Sequence, residues 1–449
     1  MIYRRFRYTV LLMLGVLFAA GLAGCSSQGS KGSVTVMGPW VGTDPGTEGY
    51  AFRKVLDTFT NETGILVNYQ ETRAVSQVVM SSVLAGTPPD VAVLSSPTEL
   101  VKYARNGVLH QLDGVIDEKQ QSAFRRQWLL PLQVAGTEHI YTVPIKANLK
   151  GLIWFKKSLG DLPELRTWKS LITYSSELKA SKATAPWCMG MVDPPGSGWP
   201  GSDMIENIFL REFGQDDYVK WAAGELEWTS DKIKEAWNTW GEISANPDFV
   251  HGGPKAALFT NFGEAGRPMF TTPPGCFLEY QASFIPGFYQ LYANENGGSA
   301  PRPGVDFDFF PFPSFGNEDA DRAWEASADL AGMFNDTPQA RQFMQFLAKS
   351  ETQGIWPAIR GGGAFTVNNG VALSVYGDEV SKRIAEEIRA AAALCFDASD
   401  LMPAAMRNAF YRAVLEYLND PGEIETLLKE LDGVRKGIPR EDWVNLPCG

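Results

Sequence analysis

From residue 33 onward, apolar and polar positions alternate between strand-like and helix-like spacing. SVTVMG at 33–38 reads as a strand, and residues 46–62 place Phe52, Val55, Leu56 and Phe59 on one helical face before the stop signal Gly64. ILVNYQ at 65–70 predicts a second strand. It is followed by a helix over 74–85 with Val75, Val78, Val79 and Val83 inward. PPDVAVL at 88–94 predicts a third strand and PTELVKYARNG at 97–107 a third helix. Strands alternating with amphipathic helices imply an α/β fold with a parallel sheet covered on both faces. Ligands of such sheets lie beyond the carboxyl ends of strands, which points to the loops at Trp40 and at Ser95 and Ser96.

A second α/β pattern begins at YTVPIKANLKGLIWF, residues 141–155. It carries predicted helices over 202–213 and 231–240; in the latter Ile233, Ala236, Trp237 and Trp240 recur at helical spacing as core positions, with Ser230 as N-cap. The Pro-rich run DFDFFPFPSFG at 306–316 marks a crossing between lobes. Thr337 and Pro338 open another helix with Ala340, Phe343, Met344 and Leu347 on one face, GGGAF at 361–365 breaks the pattern, and the remainder is mainly helical.

At 449 residues the chain exceeds what one core usually organises, so two lobes are expected. Arg4, Arg5 and Arg7 precede an apolar run from Thr9 to Gly24, too short for a spanning helix and suited to an export signal. That run ends in Leu22-Ala23-Gly24-Cys25, which resembles a bacterial lipobox. The resemblance implies removal of residues 1–24 and lipidation of Cys25 by acyl chains such as palmitate, anchoring the protein to the extracytoplasmic face of the cell membrane. SSQGSKGS at 26–33 has the composition of a flexible tether. Losing residues 1–24 takes away three arginines and no acids, so the formal charge moves from −12 to −15, a poor match to nucleic acid. Cys188, Cys276, Cys395 and Cys448 remain, an even number that suggests two disulfides in an oxidising compartment, with three pairings possible. There is no CxxC, and His110, His139 and His251 lie far apart, so no metal site is expected.

Together these elements resemble the extracellular solute-binding proteins of ABC importers, in the maltose-binding-protein-like carbohydrate group. The matching phrases are GTPPDVAVL at 86–94, YTVPIKANLKGLIWF at 141–155, TWKSL at 167–171 and DTPQARQFMQFLAKSETQ at 336–353. A narrower likeness, to the alpha-glucoside-binding lipoproteins, rests on PWCMG at 186–190, SGWPGSDMIENIFLR at 197–211, NFGEAGRPMFTTPPGCFLEYQASF at 261–284 and FDASDLMP at 396–403. The chain departs from that narrower pattern at Glu279 and Tyr280, where two histidines often stand. The resemblance implies a two-lobed periplasmic-binding-protein-like fold whose ligand cleft closes by hinge motion, with lobe 1 at 34–145, lobe 2 at 146–312, a return to lobe 1 at 313–358, and lobe 2 with C-terminal helices at 359–449. It also implies a monomer that needs no cofactor, catalyses no reaction and hands a carbohydrate to membrane permease subunits. In line with this, the chain has no GK[ST] phosphate loop. PWC and PPGC travel together in the narrower group, which implies a Cys188–Cys276 bridge and leaves Cys395 to Cys448.

A sugar site needs aromatic faces and polar groups for the hydroxyls. Trp40 and Trp199 are the candidate platforms, although Trp40 could equally be packing. Asp203 could bind hydroxyls or support a helix start, Ser95 and Ser96 could contact ligand or cap the next helix, and Asp90 reads as structural. Asn148, Glu279, Gln281, Asp397 and Asp400 are further candidates, and Gly362 and Gly363 could let backbone approach a ligand or serve as a turn. Arg73 with Lys146 leaves a glycerophosphodiester open, a polyol is another alternative, and an exported glycoside hydrolase would need two acids about 5 to 10 Å apart.

Overall fold

Two sheets set the architecture of the computed structural model, which describes residues 31–134, 136–160, 162–292, 299–359 and 363–449. The predicted signal peptide, Cys25 and Gly362 lie outside these residues. In chain order the strands are β1 (Ser33–Gly38), β2 (Leu66–Glu71), β3 (Val91–Leu94), β4 (Leu132–Val134), β5 (Thr137–His139), β6 (Thr142–Leu149), β7 (Leu152–Lys156), β8 (Trp187–Cys188), β9 (Leu278–Tyr280), β10 (Phe307–Pro311), β11 (Ala323–Met333) and β12 (Ala393–Phe396). The larger sheet runs β12-β11-β3-β1-β2 with β6 also paired to β11, and the smaller runs β10-β7-β9-β8.

The first three strands are parallel, as their alternation with helices predicts, but β11 runs antiparallel to β3 and β6, so the larger sheet is mixed. Helices α1 (Glu48–Thr63), α2 (Val75–Leu84), α3 (Pro97–Arg105), α4 (Trp199–Phe213), α5 (Asp231–Ser244), α6 (Pro338–Leu347) and α7 (Ala404–Asn419) cover the two sheets. Their ends carry the expected chemistry. Thr47 accepts the Tyr50 amide at the start of α1, Gly64 caps its end at φ 75°, and Thr337 accepts the Ala340 amide at the start of α6. Ser230 stands at the N-cap of α5 without a side-chain cap bond, while Ile233, Ala236, Trp237 and Trp240 are fully buried. Two expectations fail locally. Val78 is 39% exposed, because α2 buries only Val75 and Val79 against the sheet. α4 starts at Trp199 rather than 202, because Pro200 is compatible with a first turn.

The crossing predicted around 306–316 falls between β10 in the smaller sheet and β11 in the larger. Lobe boundaries shift in two places. All of β6, to Leu149, pairs with β11, and β12 also pairs with β11 although it lies within 359–449. Cross-strand hydrogen bonding, which periodicity does not reveal, puts both segments in the larger sheet. The cysteines pair as the resemblance implies, Cys188 with Cys276 in the smaller-sheet lobe and Cys395 with Cys448. The second bridge ties the chain end to β12, where Leu394 and Gly449 exchange backbone hydrogen bonds. Among the described residues no helix is long and apolar enough to cross a membrane.

Candidate ligand-binding cleft

The exits of the three parallel strands converge on a cavity of about 240 Å³ between the lobes. Trp40 follows β1, Glu48 opens α1, Arg73 follows β2 and Ser95 follows β3. Strand alternation supplies the next layer. Lys146 and Asn148 on β6 lie directly opposite Asp329 and Ser327 on β11, and all four line the cavity. The smaller-sheet lobe contributes Asp193, Trp199, Asp203, Phe262 and Phe284, and the chain around α7 contributes Asp397, Asp400, Arg407 and Tyr411.

Trp199 enters at the first position of α4, after Gly198 at φ 107°. A Cβ at Gly198 would sit 2.2 Å from the Tyr411 carbonyl oxygen, so only glycine lets the helix start this close to α7. The indole N–H of Trp199 donates to Asp193 Oδ2 at 2.9 Å, Phe262 meets its ring edgewise at 5.0 Å, and Lys150 Nζ lies 5.4 Å from the ring centre. Half-buried and fixed on its edges, Trp199 presents a platform to the cavity. Trp40 serves both readings. It is 2% exposed and packed between Phe52 and Trp356 at 4.6 and 4.7 Å, yet it lines the cavity.

Buried charge is concentrated around Lys150, at the corner between β6 and β7. Its ammonium bonds Asp203 and lies 3.1 Å from Asp397, with Glu325 and Glu206 behind them. Burial alone would drive Lys150 down, but the surrounding acids raise it well above the usual lysine range. One lysine cannot offset every neighbour. Burial outweighs Lys150 at Asp203 and pushes it up to about 8. Burial pushes Asp397 the same way, but Lys150 together with bonds from Glu206 and Ser399 reverses the shift to about 2. Burial, then neighbouring acids, raises Glu206 and Glu325 well above the usual carboxylate range. One oxygen from each of Asp203, Glu325 and Asp397 falls within 4.8 Å of the others, a spacing a cation could span, and Lys150 already supplies the positive charge to two of the three. Asp400 is raised by burial and by Asp397. At the opposite wall Glu48 is lowered because Lys146 and Arg73 overcome its burial, while burial holds Asp329 up at about 6.

The structure separates the predicted residues into two groups. Trp40, Ser95, Asn148, Trp199, Asp203 and Asp400 line the cleft, and Asn148 Oδ1 is buried without a partner among the described residues. Ser96 does not; it is fully buried, caps α3 by accepting the Glu99 amide and donates to the Asp400 carbonyl at 2.8 Å. Asp90 is structural, its Oδ2 accepting the Thr35 amide at 2.8 Å. Gly363 packs on the Phe284 carbonyl, where a Cβ would stand 2.5 Å away, and does not line the cleft.

Glu279 and Gln281 also miss it. Both line a separate cavity of about 20 Å³ behind the Cys188–Cys276 bridge. Glu279 is 1% exposed, sits against Gly266 and accepts the Tyr289 hydroxyl at 2.5 Å; burial, only partly countered by that bond, raises it to about 8. Gln281 folds its side-chain oxygen onto the Ala282 amide. β9 lies inside its sheet between β7 and β8, with Leu278 and Glu279 buried and Tyr280 half-buried. The segment reaches the cleft three residues later, through Phe284. Sequence reasoning missed Glu48, Lys150, Asp193, Asp329 and Tyr411. The only local signal was the Gly- and Pro-rich loop holding Asp193, since 52 acids offer no other basis for choosing among them.

Comparison with known proteins agrees with the two-lobed fold. The chain is 29% identical over 415 residues to the osmoprotective compounds-binding protein GgtB of Synechocystis sp., covering 91% of this chain and 94% of that one. It is 29% identical over 407 residues to the alpha-glucosides-binding periplasmic protein AglE of Rhizobium meliloti, covering 86% and 83%. Its fold matches the bacterial solute receptor AcbH with a TM-score of 0.75 at 19% identity, over 90% of this chain and 99% of that one. The family model for bacterial extracellular solute-binding proteins matches residues 43–354, more than half the chain, and the protein belongs to that family.

Proposed function

We propose that the protein captures a short alpha-glucoside, or alternatively a polyol, and delivers it to an ABC importer from a lipid anchor at Cys25. The observation that carries this reading is the pairing, in one cleft, of the Trp199 platform with a ring of fixed polar acceptors and donors from Asp203, Asp397, Asn148 and Lys146. A sugar offers weakly polar CH faces to the indole and hydroxyls to the charged rim. Relatives named for alpha-glucosides and for osmoprotective compounds support the ligand class.

A glycerophosphodiester fits less well, because each cleft cation is already bonded to a carboxylate: Arg73 to Asp193, Lys146 to Glu48, Lys150 to Asp203 and Arg407 to Glu99. A thermal-shift screen of the chain from residue 26 onward, against alpha-glucosides, polyols and phosphodiesters, tests the reading. A ligand at 100 times its Kd raises stability by about 2.7 kcal/mol. Stabilisation by phosphodiesters alone refutes it, and new reducing ends on prolonged incubation would establish a hydrolase instead. Mass spectrometry of the exported protein checks the anchor: the proposal requires an acylated N-terminal Cys25.

A further inference from the structure

Arg73 and Asp193 meet across the mouth of the cleft. Arg73 follows β2 in the larger-sheet lobe, Asp193 follows β8 in the smaller-sheet lobe, and their side chains approach to 2.6 Å although 120 positions separate them. The contact is anchored on the Asp193 side. The Asp193 amide donates to Ser197 Oγ at 3.0 Å, its carbonyl accepts the Gly196 amide at 2.7 Å, and the same carboxylate oxygen that receives Arg73 receives the Trp199 indole. Arg73 also lies 5.9 Å from the centre of the Phe262 ring, again on the opposite lobe. The pair is at the rim: the Arg73 side chain is 36% exposed, against 4% for Asp203 in the interior.

We propose that the Arg73–Asp193 pair is a gate that sets ligand length, a reading that rests on the proposed sugar-binding function. The cavity behind the pair, about 240 Å³, lies below the usual range of about 300–1,000 Å³ for drug-sized ligands, so it suits a solute of about one or two rings. A longer oligosaccharide must project its next ring through the mouth, which breaks the ion pair and loosens the support of the Trp199 platform. A short one leaves the pair intact and is enclosed by it.

Calorimetric titration with alpha-1,4-linked glucosides of two to five rings, on the wild type, Arg73→Met, Asp193→Asn and the double variant, tests the gate. Asp193→Asn keeps an acceptor for the indole while removing the charge. Wild-type affinity is expected to fall with each ring beyond two. In either single variant the ratio of four-ring to two-ring Kd should shrink at least about fivefold, and the double variant should shrink it no further, because the two groups act as one unit. Equal wild-type affinity for two and four rings, or a ratio unchanged in both variants, overturns the proposal. If no glucoside of any length binds the wild type, the length rule falls with the functional reading. The gate is then decided without ligand, from spin-label distances between Leu84→Cys and Phe259→Cys, positions 82% and 85% exposed on opposite lobes. Longer or broader distances on breaking the pair support it, and an unchanged distribution refutes it.

Discussion

Two buried acidic sites in this chain reach opposite ends. Around Lys150, a cation gathers Asp203 and Asp397 and keeps their oxygens at the wall of the cleft. Around Glu279, 1% exposed, the structure supplies a tyrosine hydroxyl and a glycine instead of a cation, and the carboxyl is neutralised by holding its proton. Burial raises the cost of charge in both places and pushes Asp203 and Glu279 alike up to about 8, but the Lys150 cation helps to hold Asp397 at about 2, as an anionic acceptor for hydroxyls at the cleft wall. Glu279, with no cation beside it, is a packing element.

The sharpest break in that contrast is Lys150→Met. It leaves Asp203 and Asp397 without their shared cation, so a loss of about 3–5 kcal/mol in urea unfolding is expected, together with loss of ligand binding. Disconnecting the Glu279 side is milder for function. Replacing Cys188 and Cys276 by serine opens an 88-residue loop and should cost about 4 kcal/mol or somewhat less, while ligand affinity in the still-folded fraction is retained. Trp199→Ala should weaken binding about tenfold or more by calorimetry with little change in unfolding midpoint, since its ring is only half-buried.

The smallest effect belongs to Glu279→Gln, which should leave affinity unchanged and alter stability at pH 5 by no more than about 1 kcal/mol, because the native group is already neutral there. Its signature is pH dependence. The folded-state pKa of Glu279, about 8, exceeds the ordinary 4.5, so the native state binds more protons between those values and stability falls as pH rises through that window. Asp203, raised by burial to about 8, adds a decline of the same sign, so the Gln variant should show a shallower fall rather than none. An equal slope in denaturation series from pH 5 to 8 would contradict the assignment, and lost affinity would return Glu279 to the cleft.

The signals legible in the sequence were local ones. Helical faces such as Phe52, Val55, Leu56 and Phe59, caps such as Thr337 and stops such as Gly64 act within one or two turns, and they predicted the first three strands and their helices closely. Resemblance carried the two-lobed fold and both cysteine pairs, and the loop position of Trp40 and Ser95 already pointed to the cleft. Tertiary structure decided which of the acids count. Lys150 meets Asp203 from 53 positions away and Asp397 from the far end of the chain, β11 aligns Asp329 with Lys146, and packing on Tyr289 and Gly266 keeps Glu279 out of the cleft. A carboxylate's role depends on the charge, solvent and hydrogen-bond donors within a few ångströms of it. In this chain those neighbours are set by packing between distant segments, which a pattern read along the sequence does not contain.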